Sequence, residues 1–465
     1  MGDQETLGGF PRRLFQERRE RVLEALGEGA MVLPAAPPLL RTGDSELPYR
    51  PDSELFYLTG FTEPGALLVL RGFAEEDRSV LFVQPRSLKE ERWTGPRLGP
   101  EAAMEWIGVE RARSVDELAG GLPELLDGAD RIHFRLGTHP AVEPLVIQAL
   151  RKARARGARK GTGPRGVVDP GEILDNLRLI KSPEEIQVLR EAARITALGV
   201  RRGLEAAGPG AGEWEIQAAV EATFRREGAQ GPAFATIVGS GPNACVLHYV
   251  ANSRKTEEGD LVLVDAGAEV RMYAGDMSRT FPVAGRFTPE QRALYEVVEA
   301  ARARGVAAVA PGAPVDRVHD AAVRALVEGL VELGILEGDP EELQEGKAYR
   351  PFFPHQTSHW LGLNAHDPGD YARAGDARTL EPGMALTVEP GLYLARDWAL
   401  AEEAGSDDSA DGEGAPPPVV EAALEPFLGM GVRIEDTVLV TPEGPEILTT
   451  GVPTDPGALE EMLRD

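Results

Sequence analysis

The 465-residue chain is 42% hydrophobic and 27% charged, the make-up of a globular protein with room for two or three domains. Its 49 basic and 76 acidic residues give a formal charge of −27, which argues against nucleic acid and anionic membranes as partners. A single cysteine, Cys245, excludes an intrachain disulfide and suits a reducing cytoplasm.

The first residues, MGDQETLGG, fit the loose N-myristoylation pattern, which chance often satisfies. No apolar signal core follows, and no run of about 18 apolar residues occurs, so neither secretion nor a membrane span is expected. Next come two β-leaning runs, ALLVLRGF and SVLFVQP, and a helical one, VDELAGGLPELLDG. This part reads as α/β. From Gly157 to Pro170 the chain turns basic and glycine-rich, like a linker or surface loop. A strong helix start follows: Ser182 as cap, Pro183 in the first turn, and Glu185 completing a capping box. A domain boundary is therefore placed near residue 175, giving domains 1–175 and 176–465.

Beyond it the pattern is hairpins with helices between them, an α+β class. GDLVLVDAGAEV and YAGDMSRTFPV read as two strands around a turn. EPGMALTVEPGLYL and VRIEDTVLVTPEGPEILT read as further strand pairs. Between these last two, residues near 401–426 are acidic and rich in Gly, Ser and Pro, a flexible insertion by composition. No tandem repeat is visible.

Four carboxylates adjoin apolar strands: Asp265 after LVLV, Asp276 eleven positions later, Glu389 after ALTV and Glu435 after VRI. A desolvated carboxylate is costly without a cation. With His359 the set holds four carboxylates and one imidazole, which suits hard or borderline divalent ions. Four carboxylates are too many for one small cation and enough for two, which can together activate a shared hydroxide. Two decoys are weaker. VGSGPNA imitates a dinucleotide fingerprint but lacks the helix start, and Cys245 near His248 sits in an apolar run where a thiol is usually just packed.

The motifs VLHY, LVLVDAGAEVRMYAGDMSRTFPV, HQTSHWLGLNAHD, EPGMALTVEPGLY and GVRIEDTVLVT occur in one order across most of residues 240–440. They resemble the pita-bread metallopeptidases, most closely the Xaa-Pro aminopeptidases (aminopeptidase P). YRPDSELFYLTGFTEPGALLVL and ERWTGPRLG are similar to that family's N-terminal domain. The resemblance implies a pita-bread catalytic domain preceded by an α/β N-terminal domain that serves substrate access or oligomerisation.

It also implies roles. Asp265, Asp276, His359, Glu389 and Glu435 would hold two divalent metals, Mn²⁺ as first choice and Fe²⁺, Co²⁺ or Zn²⁺ as alternatives. Asp276 and Glu435 would bridge, and Glu389 would take the proton from the hydroxide-forming water. His248 and His366 would contact substrate and steady the tetrahedral intermediate. His355 would line the pocket near the proline ring. Tyr393 and Arg433 would orient the carboxylates at the substrate site, and Trp93 would cover the pocket of its own or a neighbouring subunit. The expected substrates are peptides with proline second, and the expected state is a cytoplasmic homodimer or homotetramer. The alternatives are prolidase, which cuts Xaa-Pro dipeptides, and a non-catalytic pita-bread binding protein.

Overall fold

The computed structural model describes residues 6–159, 161–399 and 418–464. The chain forms two compact units, Met1–Leu177 and Arg178–Asp465. The division falls inside a helix, Gly171–Leu179, because GEILDNLRL is a continuous helical run with no breaker.

The first unit is built on a six-stranded mixed sheet. Strands Ala30–Pro34, Leu67–Arg71 and Ser79–Val83 run antiparallel at its centre, where ALLVLRGF and SVLFVQP were expected as strands. Fully buried Val32, Val69, Phe82, Leu122 and Ile132 form its core, each contributing about 1.5–3 kcal/mol by leaving water. The segment read as a linker from Gly157 is in part structural. Its Val167–Val168 pairs in parallel with Ile132–His133 as the edge strand of the sheet.

The second unit repeats one theme although the sequence shows no repeat. Helices Pro183–Ala206 and Glu213–Arg226 pack on the antiparallel strands Ile237–Ser240, Leu261–Ala266 and Met277–Pro282. Helices Pro289–Ala308 and Asp316–Glu332 form the second pair, beside strands Ala385–Val388, Asp436–Thr441 and Gly444–Ile447. The expected capping box is formed: Ser182 N–H donates to Glu185 Oε2 (2.8 Å) and Glu185 N–H to Ser182 Oγ (3.3 Å).

The turn between the first strand pair is itself a small hairpin, Ala268–Val270 with Tyr273–Ala274, turning at Arg271 and Met272 with positive φ. EPGMALTVEPGLYL is not a hairpin. Its strand Ala385–Val388 pairs with Asp436–Thr441, and Gly391–Leu394 pairs with Met430–Arg433. Proline at 390 lacks the N–H a continuous ladder needs, so the chain changes sheets there. Of the expected insertion, 401–417 lie outside the described residues. Its far end is not loop: Val419 bridges Leu336, and a helix runs Glu421–Leu424.

Candidate metal centre

The five expected ligands are brought to one place by strand register. Asp265 pairs with Ser278 in the antiparallel ladder, and Asp276 stands just before the partner strand at the same end. The intervening hairpin folds back closely: a Cβ at Gly267 would lie 1.9 Å from the Gly275 carbonyl, so only glycine fits. In the other half, the pairs Val388–Asp436 and Gly391–Arg433 flank the sheet change. Glu389 and Glu435 therefore sit opposite each other in the two breaks. The Glu435 N–H donates to the Ser278 carbonyl (3.1 Å), which ties the second break to the first strand pair.

The histidine segment is not helical, so His355 and His359 do not share a helix face. It lies instead along strand Ala385–Val388. Thr387 N–H donates to the His359 carbonyl (3.0 Å), and Glu389 N–H to that of Thr357 (2.8 Å). This places His359 Nε2 3.4 Å from Glu389 Oε1 and 3.6 Å from Asp276 Oδ2. Asp276, His359 and Glu435 each offer a ligand atom within 4.8 Å of the others'. Among the described residues no other such group occurs.

Hydrogen bonds fix the orientation of these groups. His359 Nδ1 faces the Trp360 carbonyl at 3.2 Å, so it carries the proton and leaves the Nε2 lone pair toward the carboxylates. Arg433 donates to Asp265 Oδ2 (2.6 Å) and to Ser278 Oγ (3.0 Å), and Ser278 donates to Glu435 Oε2 (2.9 Å). Arg433 also donates to the Tyr393 hydroxyl (3.0 Å), which lies 2.8 Å from His355 Nε2. The other His355 nitrogen meets the Gln356 carbonyl at 2.8 Å. Both nitrogens of His355 are thus engaged within the protein, which leaves the carbon edge of the ring without a polar partner.

The charge balance calls for cations. Burial raises the Asp276 and Glu435 carboxyls well above their usual range, and neighbouring carboxylates add to it. Burial pushes Glu389 up to about 8, with Asp265 adding to the shift. Burial drives His359 down to about 4. Asp265 Oδ1 is buried without a hydrogen-bond partner. Three carboxyls that resist ionisation, an imidazole held neutral and an orphaned carboxylate oxygen fit divalent cations bound by oxygen with one nitrogen.

A cavity of about 680 Å³ opens onto this centre. His248, His355 and His366 line it, together with Phe234, Ile237 and Val250, which the motifs did not single out. Tyr393 is buried, 4% exposed, at the back of Arg433. Trp93 lies on helix Leu88–Thr94 of the first unit and is 86% exposed.

Other supporting residues carried no sequence signal. Asp367, the residue after His366, is buried between Arg178 (2.5 Å) and Lys181 (3.4 Å) and accepts the Asn364 N–H (3.1 Å). It anchors the loop that carries His366. His319, from helix Asp316–Glu332, holds Thr357: its Nδ1 accepts the Thr357 N–H (3.3 Å) and lies 2.9 Å from Oγ1. Burial, with Arg350 nearby, pushes the His319 ring down to about 4 from 6.5. The unfolded chain gains its proton first as pH falls, so stability present above about pH 6.5 is lost on the way down to about pH 4. The loss is on the order of 3 kcal/mol. Urea unfolding of metal-free protein at pH 7 and pH 4 is expected to show wild type losing more stability than His319→Gln. Equal losses would refute a buried neutral ring.

An oxygen-rich centre with one histidine, at the meeting of two helix-and-sheet halves, defines a metallohydrolase. The chain belongs to metallopeptidase family M24, whose model matches residues 187–442. The model of the aminopeptidase P N-terminal domain matches residues 15–133. An Xaa-Pro aminopeptidase from Escherichia coli K12 is 42% identical over 97% of this chain and 98% of its own length. The solved aminopeptidase PepP of Pseudomonas aeruginosa aligns with a TM-score of 0.88 and 38% identity, covering 98% of each chain. A zinc-substituted E. coli aminopeptidase P in complex with product aligns at 0.87 and 41% identity, covering 97% of this chain and 98% of its own.

Proposed function

We propose that this centre removes the N-terminal residue from peptides whose second residue is proline, the activity of a metal-dependent Xaa-Pro aminopeptidase. The convergence of Asp276, His359 and Glu435, with Glu389 3.4 Å from the imidazole, carries the reading. A proline in second position makes the scissile bond a tertiary amide without an N–H, so recognition relies on shape more than on a backbone donor.

Two divalent cations, Mn²⁺ as first choice, would be held by Asp265, Asp276, His359, Glu389 and Glu435, and would supply Lewis acidity and an activated water. Glu389, whose Oε1 lies 3.4 Å from His359 Nε2, takes the proton from that water and later returns it to the leaving proline nitrogen. His248 and His366 line the cavity beside the centre and donate to the developing oxyanion and the peptide backbone. His355, held by Tyr393 and Gln356, presents an apolar ring edge to the proline. Arg433 offsets part of the negative charge and fixes Asp265.

The oligomeric and cellular parts of the reading rest on composition and resemblance. A homodimer or homotetramer would cover Trp93. The lone cysteine suits the cytoplasm, and no helix among the described residues is long and apolar enough to cross a membrane.

The test is hydrolysis of Xaa-Pro-Yaa tripeptides and Xaa-Pro dipeptides by Mn²⁺-loaded protein. Tripeptide cleavage is expected. Cleavage of dipeptides alone would reassign the chain as a prolidase. No cleavage of either, with metal bound, would leave a binding protein.

A further inference from the structure

We propose that Glu213 is a positioning residue that sets His248 at the rim of the metal centre, an inference that rests on the reading of His248 as a substrate contact. Glu213 opens helix Glu213–Arg226 and is fully buried. Its carboxylate accepts five hydrogen bonds. Oε1 takes the Ser240 N–H (2.8 Å), the Ser240 hydroxyl (2.7 Å) and Asn243 Nδ2 (3.1 Å). Oε2 takes the Tyr249 hydroxyl (3.0 Å) and the Arg254 N–H (2.7 Å). All five donors belong to residues 240–254, the segment that carries His248.

One helical turn on, Gln217 Oε1 accepts Asn252 Nδ2 (2.9 Å), and Asn252 takes the Val238 N–H on its Oδ1 (3.0 Å). The same helix face thus grips the segment at both ends. The apolar side chains flanking His248 add little to this hold: Val246 and Val250 are 53% and 54% exposed, and His248 is exposed beside them. With Val246 and Val250 turned outward and Ser240 and Asn252 buried, the segment is held chiefly by its bonds to the buried carboxylate. Glutamine at 213 would turn an N–H₂ group toward donors and leave at least one buried donor unpaired. Tyr249, next to His248, couples that loss directly to the histidine.

The role is read by a double-mutant cycle on the Mn²⁺-loaded full chain, with kcat/KM on an Xaa-Pro-Yaa tripeptide and bound metal measured for each variant. Glu213→Gln is expected to retain its metal and to lose about 10- to 100-fold in kcat/KM, the scale of a misplaced contact. In a His248→Ala background the same change is expected to cost less than about twofold, because the group it positions is gone. A residue that merely supports the fold would lower activity equally in both backgrounds, and that result overturns the proposal. A fully active His248→Ala would instead remove the premise, because it refutes His248 as a substrate contact, and the proposal falls with it. If Glu213→Gln does not fold, Tyr249→Phe decides, because it leaves the carboxylate and four donors intact. A loss of about three- to tenfold that His248→Ala abolishes supports positioning. No loss, or a loss that persists, overturns it.

Discussion

Alanine at Glu389 is expected to lower kcat on Xaa-Pro-Yaa tripeptides by at least about 10³-fold, with KM changed far less. Glu389 sits in the break between strands Ala385–Val388 and Gly391–Leu394, its N–H held by the Thr357 carbonyl and its Oε1 3.4 Å from His359 Nε2. Burial and Asp265 make it hold a proton in the metal-free protein; bound cations would drive that proton off and leave a carboxylate able to accept one from the water. Alanine deletes both this acceptor and an oxygen ligand, whereas most of the cavity wall that binds the peptide is untouched. Misfolding has a separate signature. Removing one carboxyl from a crowded buried set relieves repulsion, so the metal-free variant is expected to melt no lower than metal-free wild type. Activity within about tenfold of wild type under saturating Mn²⁺ would refute Glu389 as the proton carrier.

Removal of metal by chelation and dialysis is expected to abolish hydrolysis, with Mn²⁺ restoring it. The effect on stability is expected to be large as well. A ligand held at a thousandfold excess over its Kd stabilises the folded state by about 4 kcal/mol, and melting of the second unit should fall by several degrees without it. The cause lies in the carboxyls of Asp276, Glu389 and Glu435, which cannot share one buried space as anions without a cation. Binding must expel the protons they retain, so calorimetry in buffers of different ionisation heat should register proton release. Metal analysis of protein purified without added salts identifies the native ion. Full activity with no bound metal would refute the centre.

The chemistry of the centre was legible in the sequence because it depends on residue type. Four acids set against apolar strands, and a histidine in HQTSHWLGLNAHD, announce a cation site wherever they fold together. The capping box at Ser182 and the strands of the first unit were legible for a similar reason, since both are local. Register was not. EPGMALTVEPGLYL looks like a hairpin, yet each of its strands pairs with the 430–441 segment, and that pairing sets Glu389 opposite Glu435. The supporting groups were equally hidden. Glu213 meets donors 27 to 41 positions away, His319 meets Thr357 38 positions away, and Asp367 meets Arg178 189 positions away. Nothing in a carboxylate at a helix start, a histidine on an amphipathic helix or an Asp before Pro-Gly says which donors it will meet. By itself the sequence determined which atoms could bind metal and move a proton. The tertiary structure alone decided which of them converge, because partners far apart in the chain are chosen by strand pairing and by the need to satisfy every buried polar group.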